Sequence, residues 1–263
     1  LLFILVILSF LAWSFVCHAF VRNPKRRLQV FSGNGNFFAK LIVKTFGIDL
    51  TVINKPTHDR VFLLVSNHMG FIDIVLLFSQ FPLLFVTSKE MKETPFLGLL
   101  TEMGGCIYVE RRSRSRIKEE LGAIADTLKA GFRVVLYPEA TSTNGEQVLP
   151  FKKTLLMSAG QAGVPIQPVV VNFREVNGEP FTKKWRDHLC WYGDIPFITS
   201  LWKSLTLKSV KAELKFLDEV HTTPESDRGE VATKVHAMIA SEFVPVKSEG
   251  AAGLTEALVN PVD

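Results

Sequence analysis

Val61-Phe-Leu-Leu-Val-Ser-Asn-His-Met-Gly-Phe-Ile-Asp73 begins as a continuous apolar run of strand length and breaks into a polar turn. A helical pattern, Ile72–Phe78, follows at once. The same change from a short buried run to a helical period recurs along the chain. Leu83–Val86, Cys106–Val109, Val134–Tyr137 and Ile166–Val171 read as strands, and Phe96–Met103, Ile117–Lys129 and Thr154–Ala162 as helices. Leu50–Ile53 precedes this series as a strand, Val210–Phe216 follows it as an alternating strand, and Glu225–Phe243 reads as a final helix capped near Thr223. Short strands that are apolar throughout, alternating with helices, imply an α/β fold. The sheet is mixed and mostly parallel, with helices on both faces.

Upstream of this unit, Leu1–Phe20 carries no charged residue, and Arg22, Lys25, Arg26 and Arg27 follow directly. Such a run is near the minimum for crossing a bilayer, and the basic flank belongs on the cytoplasmic side. A signal peptide fits less well, because the positive charges lie after the apolar run and no A-x-A site follows. A helix lying in the interface is a third reading. Ser32–Asn36 reads as a loop and Phe37–Phe46 as a short amphipathic helix. The organisation expected is therefore a transmembrane or anchoring helix over 1–20, a basic juxtamembrane segment with an amphipathic helix over 21–47, an α/β domain over 48–245 and a flexible tail over 246–263. The α/β domain is expected on the cytoplasmic face of a membrane.

The 263 residues are 47% hydrophobic, enough for a large core and incompatible with a disordered chain. Three cysteines at scattered positions argue against a disulfide framework and offer no paired metal-ligand spacing. No metal or organic cofactor is implied. A net charge of +4 is low for a nucleic-acid binder, and no helix-turn-helix or basic aromatic sheet is recognisable.

In open α/β sheets, sites lie beyond the carboxyl ends of strands, which is where His68 falls. Asp73, five residues on, can fold back so that its carboxylate meets one ring nitrogen, leaving the other free to take a proton from a hydroxyl. His68 alone among six histidines has an aspartate at this spacing. By itself the spacing fits equally well a histidine in a polar turn capped by a nearby carboxylate. Gly104-Gly-Cys-Ile-Tyr-Val-Glu-Arg111 ends a second strand with a guanidinium suited to phosphate, and Arg112, Arg114, Arg116 and Lys118 continue past it. Those later cations suit a solvated helix start as well. Glu139 and Thr141 leave a third strand in Tyr137-Pro-Glu-Ala-Thr141, where a carboxylate can serve a substrate hydroxyl or simply hold a turn. Trp185, Trp191, Tyr192 and Trp202 cluster with Phe197, Ile198, Leu201 and Leu205, as core packing or as an interfacial or acyl-chain surface.

Taken in order, Asn67-His68-x4-Asp73, Gly105–Arg111, Tyr137–Thr141 and Val164-Pro-Ile-x-Pro168 resemble the four blocks of the glycerolipid acyltransferases, the 1-acylglycerol-3-phosphate acyltransferases and their lysophospholipid-acylating relatives. The resemblance implies that His68, oriented by Asp73, deprotonates the hydroxyl of a lysolipid, which attacks the thioester of acyl-CoA or acyl-carrier protein. It places Arg111, Glu139 and Thr141, with Asn67, on the substrate-binding side. The partners implied are a membrane lysolipid and an acyl thioester, with no nucleic acid. No G-x-S-x-G elbow offers a covalent alternative.

One block departs from the pattern. Phosphatidate-forming members usually carry Glu-Gly-Thr-Arg, whereas this chain has Glu139-Ala140-Thr141-Ser142. Ala140 must accept a Cβ where glycine is usual, and Ser142 removes a phosphate-binding fork. Thr141-Ser142-Thr143 fits members that acylate other lysolipids, including lyso-ornithine lipid. Lys152 or Lys153 could supply the missing charge. Lysophosphatidate, the commonest acceptor of the family, is the expected substrate, with another lysolipid as the alternative. A thioesterase and a non-enzymatic membrane adaptor are the competing functions.

Overall fold

The computed structural model describes residues 2–57, 59–110 and 116–247. Arg111, Arg112, Arg114 and nearly all of the expected tail fall outside these residues. The chain begins with α1 (Leu2–Phe20) and α2 (Pro24–Thr45), which pack together as a hairpin. Asn23 caps α2 by accepting from the Arg26 N–H at 3.0 Å, and Pro24, which lacks a donor, takes the first helical position. The sheet domain then runs β1 (Ile48–Ile53), β2 (Leu63–Ser66), α3 (Phe71–Gln80), β3 (Leu84–Ser88), α4 (Lys89–Glu93), α5 (Leu97–Met103), β4 (Ile107–Val109), α6 (Ile117–Lys129) and β5 (Val134–Leu136). A 3-10 turn (Leu155–Met157) leads into α7 (Ser158–Ala162). The chain finishes with β6 (Ile166–Val176), β7 (Glu179–Pro180), α8 (Lys183–Leu189), α9 (Phe197–Leu205), β8 (Val210–Phe216) and α10 (Arg228–Glu242).

The strand order is β1-β8-β6-β2-β5-β3-β4, with β7 paired to β6. Neighbours run parallel except β6 with β8 and β6 with β7, so the sheet is mixed and mostly parallel. The central strands are buried on both faces, which explains why they are apolar without alternation: Leu63, Leu64, Val65, Val134 and Val135 are all sealed from solvent. Strand β2 leads through α3 to β3 on one side, whereas β5 leads through α7 to β6 on the other. Their carboxyl ends are neighbours, and the loops leaving them diverge. This opens a crevice at the switch point.

Three expectations from the sequence need correction. Ser32–Asn36 is no loop but the middle of the 22-residue α2. The small residues that suggest a turn let α3 approach: a Cβ on Gly35 would fall 1.9 Å from the Phe78 ring, and the Asn36 amide donates to the Phe78 carbonyl at 2.6 Å. The final helix starts at Arg228, because Asp227 accepts from the Gly229 and Glu230 N–H groups at 2.7 and 2.9 Å and outcompetes Thr223 as the cap. At the far end, Val246 is buried and donates to the Gly145 carbonyl at 2.8 Å, so the first residues of the expected tail belong to the packed domain.

Candidate active site

His68 and Asp73 meet in the turn between β2 and α3. The ring Nδ1 lies 3.0 and 3.1 Å from the two Asp73 oxygens. Asp73 Oδ2 also accepts from the Met69 and Gly70 N–H groups at 2.6 and 2.8 Å. With Oδ2 already accepting from two N–H groups, the carboxyl group faces the ring as an acceptor, so Nδ1 carries its hydrogen and donates a hydrogen bond to Asp73. That choice of tautomer leaves Nε2 free as the basic nitrogen. Asp73 sits in the first turn of α3, where the helix dipole favours its charge, and its side chain is 0% exposed. Gly70 makes the turn possible, since a Cβ there would fall 2.8 Å from the Leu189 carbonyl oxygen.

The turn after β5 supports the base from the other side. Glu139 accepts from the His68 N–H at 2.8 Å and from the Leu149 N–H at 2.7 Å. Its burial pushes the pKa up to about 7, partly opposed by those two N–H groups. Thr143 donates to the His68 carbonyl through its N–H at 2.9 Å and its hydroxyl at 3.1 Å. The Tyr137 ring stacks on the imidazole, centroids 4.1 Å apart and planes 18° from parallel. Burial, and then the nearby Asp73 carboxylate, hold the Tyr137 hydroxyl well above its usual pKa, so it stays neutral. Sequence reasoning gave Tyr137 no role. Its role follows from the pairing of β2 with β5, which brings together the residues that end the two strands and which no local pattern announces.

Of the expected substrate-binding residues, Thr141 lines the cavity that opens on His68. Glu139 is buried and engaged with backbone, which makes it a positioning group for the His68 turn. Asn67 is likewise turned away from substrate: its amide donates to the Val171 carbonyl at 3.0 Å and accepts from the Val171 N–H at 2.9 Å, tying the end of β2 to β6. Arg111 lies outside the described residues. Lys152 and Lys153 do not line the cavity. The Ser142 hydroxyl donates to the Trp191 carbonyl, so this position carries no charge and its donor is engaged. Trp191 joins both blocks, since its N–H donates to the Met69 carbonyl at 2.7 Å.

The cavity measures about 420 Å³. It runs from His68, Tyr137 and Thr141 between α1, α2, α3, α5 and α9, lined by residues such as Ile7, Phe38, Ile74 and Phe197. No Lys, Arg, Asp or Glu lines it among the described residues. A deep apolar channel that ends on a proton acceptor can hold a hydrocarbon chain and present its reactive end to the base.

The acyltransferase family model matches residues 49–172, which spans both turns. A lyso-ornithine lipid O-acyltransferase of Brucella abortus is 30% identical over 231 residues, 84% of this chain and 84% of the relative. A 1-acyl-sn-glycerol-3-phosphate acyltransferase of Neisseria gonorrhoeae is 27% identical over 184 residues, 70% of each chain. Among solved structures, the 1-acyl-sn-glycerophosphate (LPA) acyltransferase PlsC of Thermotoga maritima has the same fold, with a TM-score of 0.63 over 99% of this chain and 95% of that one at 19% identity. Sequence, fold and the buried histidine–carboxylate pair point the same way: the chain belongs to the acyltransferase family, among the enzymes that acylate glycerolipids and other lysolipids.

Proposed function

We propose that the protein moves a long acyl chain from a thioester to the free hydroxyl of a lysolipid that lacks a phosphate monoester, of the lyso-ornithine type. His68 Nε2 takes the hydroxyl proton while Asp73 stabilises the imidazolium that forms. The lipid oxygen attacks the thioester carbonyl carbon, the tetrahedral intermediate expels the thiolate, and the imidazolium returns its proton to sulfur. The products are an ester and a free thiol. Coenzyme A or acyl-carrier protein carries the chain, which lies in the apolar cavity. Ser142 is the feature that supports this choice of acceptor: a phosphate dianion needs a fork of donors, a serine bound to a backbone carbonyl offers none, and no cation lines the cavity among the described residues. The similarity to a lyso-ornithine lipid O-acyltransferase over 84% of both chains supports the same reading. The enzyme is membrane-associated, and the basic residues after α1 favour the cytoplasmic face for its catalytic domain.

The test is thiol release from a long-chain acyl-CoA by the detergent-solubilised full chain, comparing lyso-ornithine lipid with lysophosphatidate. Release should depend on lyso-ornithine lipid, exceed that with lysophosphatidate at least about tenfold, and fall roughly 10²–10⁴-fold in His68→Ala. Preference for lysophosphatidate would refute the acceptor assignment and return the enzyme to the phosphatidate-forming group. Release that needs no lipid and survives in His68→Ala would refute the mechanism.

A further inference from the structure

Helix α9 is turned inside out for a helix in water. Its hydroxyl residues Ser200 and Ser204 are each 1% exposed, while Ile198 and Trp202, one turn apart, are 62% and 64% exposed. Of its other apolar residues, Phe197 and Leu201 line the cavity and Leu205 packs against the core. A helix that buries one apolar side and still shows another on its outer face lacks part of its surroundings. Outside α1, the large apolar residues that stand exposed among the described residues are Phe37, Phe96, Ile198 and Trp202. Phe96 lines the cavity itself, and the other three sit on helices that line it. Phe96 sits at the tip of a tight turn at φ 66°, a conformation a bulky side chain rarely adopts, closed by the Leu97 N–H donating to the Pro95 carbonyl at 2.8 Å. The opposite side of the sheet shows no such residue among those described.

We infer that α9, with Ile198 and Trp202, is a second membrane contact, separate from α1, that seats the rim of the cavity in the lipid surface. A second copy of the chain is the poorer occupant. A nine-residue helix is roughly 14 Å long and 10 Å across, offering on the order of 150 Å², against about 800 Å² per partner in a stable interface. A bilayer needs no such minimum, and the face is continuous in purpose with the exposed side of α1, since α1 and α9 line the same cavity. Tryptophan at the outer turn suits the headgroup boundary. With contacts on both sides of the cavity, a lipid substrate passes from bilayer to site without crossing water.

The inference builds on the acyltransferase reading of the cavity, but its first test needs no turnover. In full-length protein carrying Trp13→Phe, vesicles of phosphatidylcholine and phosphatidylglycerol brominated at mid-chain should quench part of the tryptophan emission. Adding Trp202→Phe should abolish most of that quenched amplitude. In a second test, Ile198→Ser with Trp202→Ser should raise KM for vesicle-borne lysolipid about tenfold. Turnover of a short-chain, water-soluble lysolipid should stay within about twofold, showing that the fold and site are intact. Quenching unaffected by Trp202→Phe, or an unchanged vesicle KM, would overturn the inference. So would a double serine variant that halves the particle mass in detergent with KM unaltered, which would give the face to a second copy.

Discussion

Glu139 accepts two backbone N–H groups, and burial still holds its pKa near 7. Between the ordinary glutamate value and about 7, the folded chain keeps a proton that the unfolded chain has released. Stability therefore falls as pH rises through that window and levels off above it, by at most about 3 kcal/mol from this one group. Denaturant midpoints across pH 4.5 to 8 should show the decline in the wild type and a flatter curve in Glu139→Gln; parallel curves would clear Glu139. Next to it, Ala140 adopts φ 61°, a left-handed conformation that costs a residue with a Cβ roughly 1–2 kcal/mol. Glycine removes that strain but adds about 0.5–1 kcal/mol of unfolded-state entropy. The strain is the larger quantity, so Ala140→Gly should stabilise the fold by about 0.5–1 kcal/mol in equilibrium unfolding. The pair His68 and Asp73 was legible because its members lie in one turn, within the reach of local geometry. Asn67 was not, because its partner Val171 arrives 104 residues later and only the sheet order brings them together.

The approach of α2 to α3 is governed by Gly35, and Phe78, which fills the space beside it, lines the cavity. A side chain at position 35 has to displace the ring, and the open side of Phe78 is the cavity itself. Gly35→Leu should therefore fold, shorten the channel, and lower the rate with long acyl thioesters about tenfold relative to short ones. A competition assay with mixed chain lengths measures this directly, and an unchanged length profile would show that the chain binds elsewhere. The same contact explains why α2 was misread. Ser, Gly and Asn mark a turn by local propensity, and here tertiary packing overrides it. Elements with a strong period and no such conflict came through intact: α6 and β8 have the bounds their patterns suggest. Strand β6 runs five residues past its apolar run because, after a bulge at Arg174, Glu175 and Val176 still pair with β8 and with β7, which periodicity does not register.

Across the whole molecule, the alternation of strands and helices revealed the class of sheet but not its order. Nothing local in β8 announces that it runs against β6 and beside β1, since antiparallel pairing with a buried strand leaves the same alternation as any edge. The cavity was legible only as scattered apolar residues, because its walls come from helices as far apart in sequence as α1 and α9. The pairing of β1 with β8 also sets an order of events during synthesis. The contacts between α1 and α2 are complete once Thr45 has left the ribosome, whereas Ile48 must wait for Val210. At 5–20 residues per second that delay lasts roughly 8–30 s. For that interval the nascent chain carries a finished apolar hairpin and an unfinished sheet, so the two helices that wall the cavity pair with each other before the sheet they cover is closed.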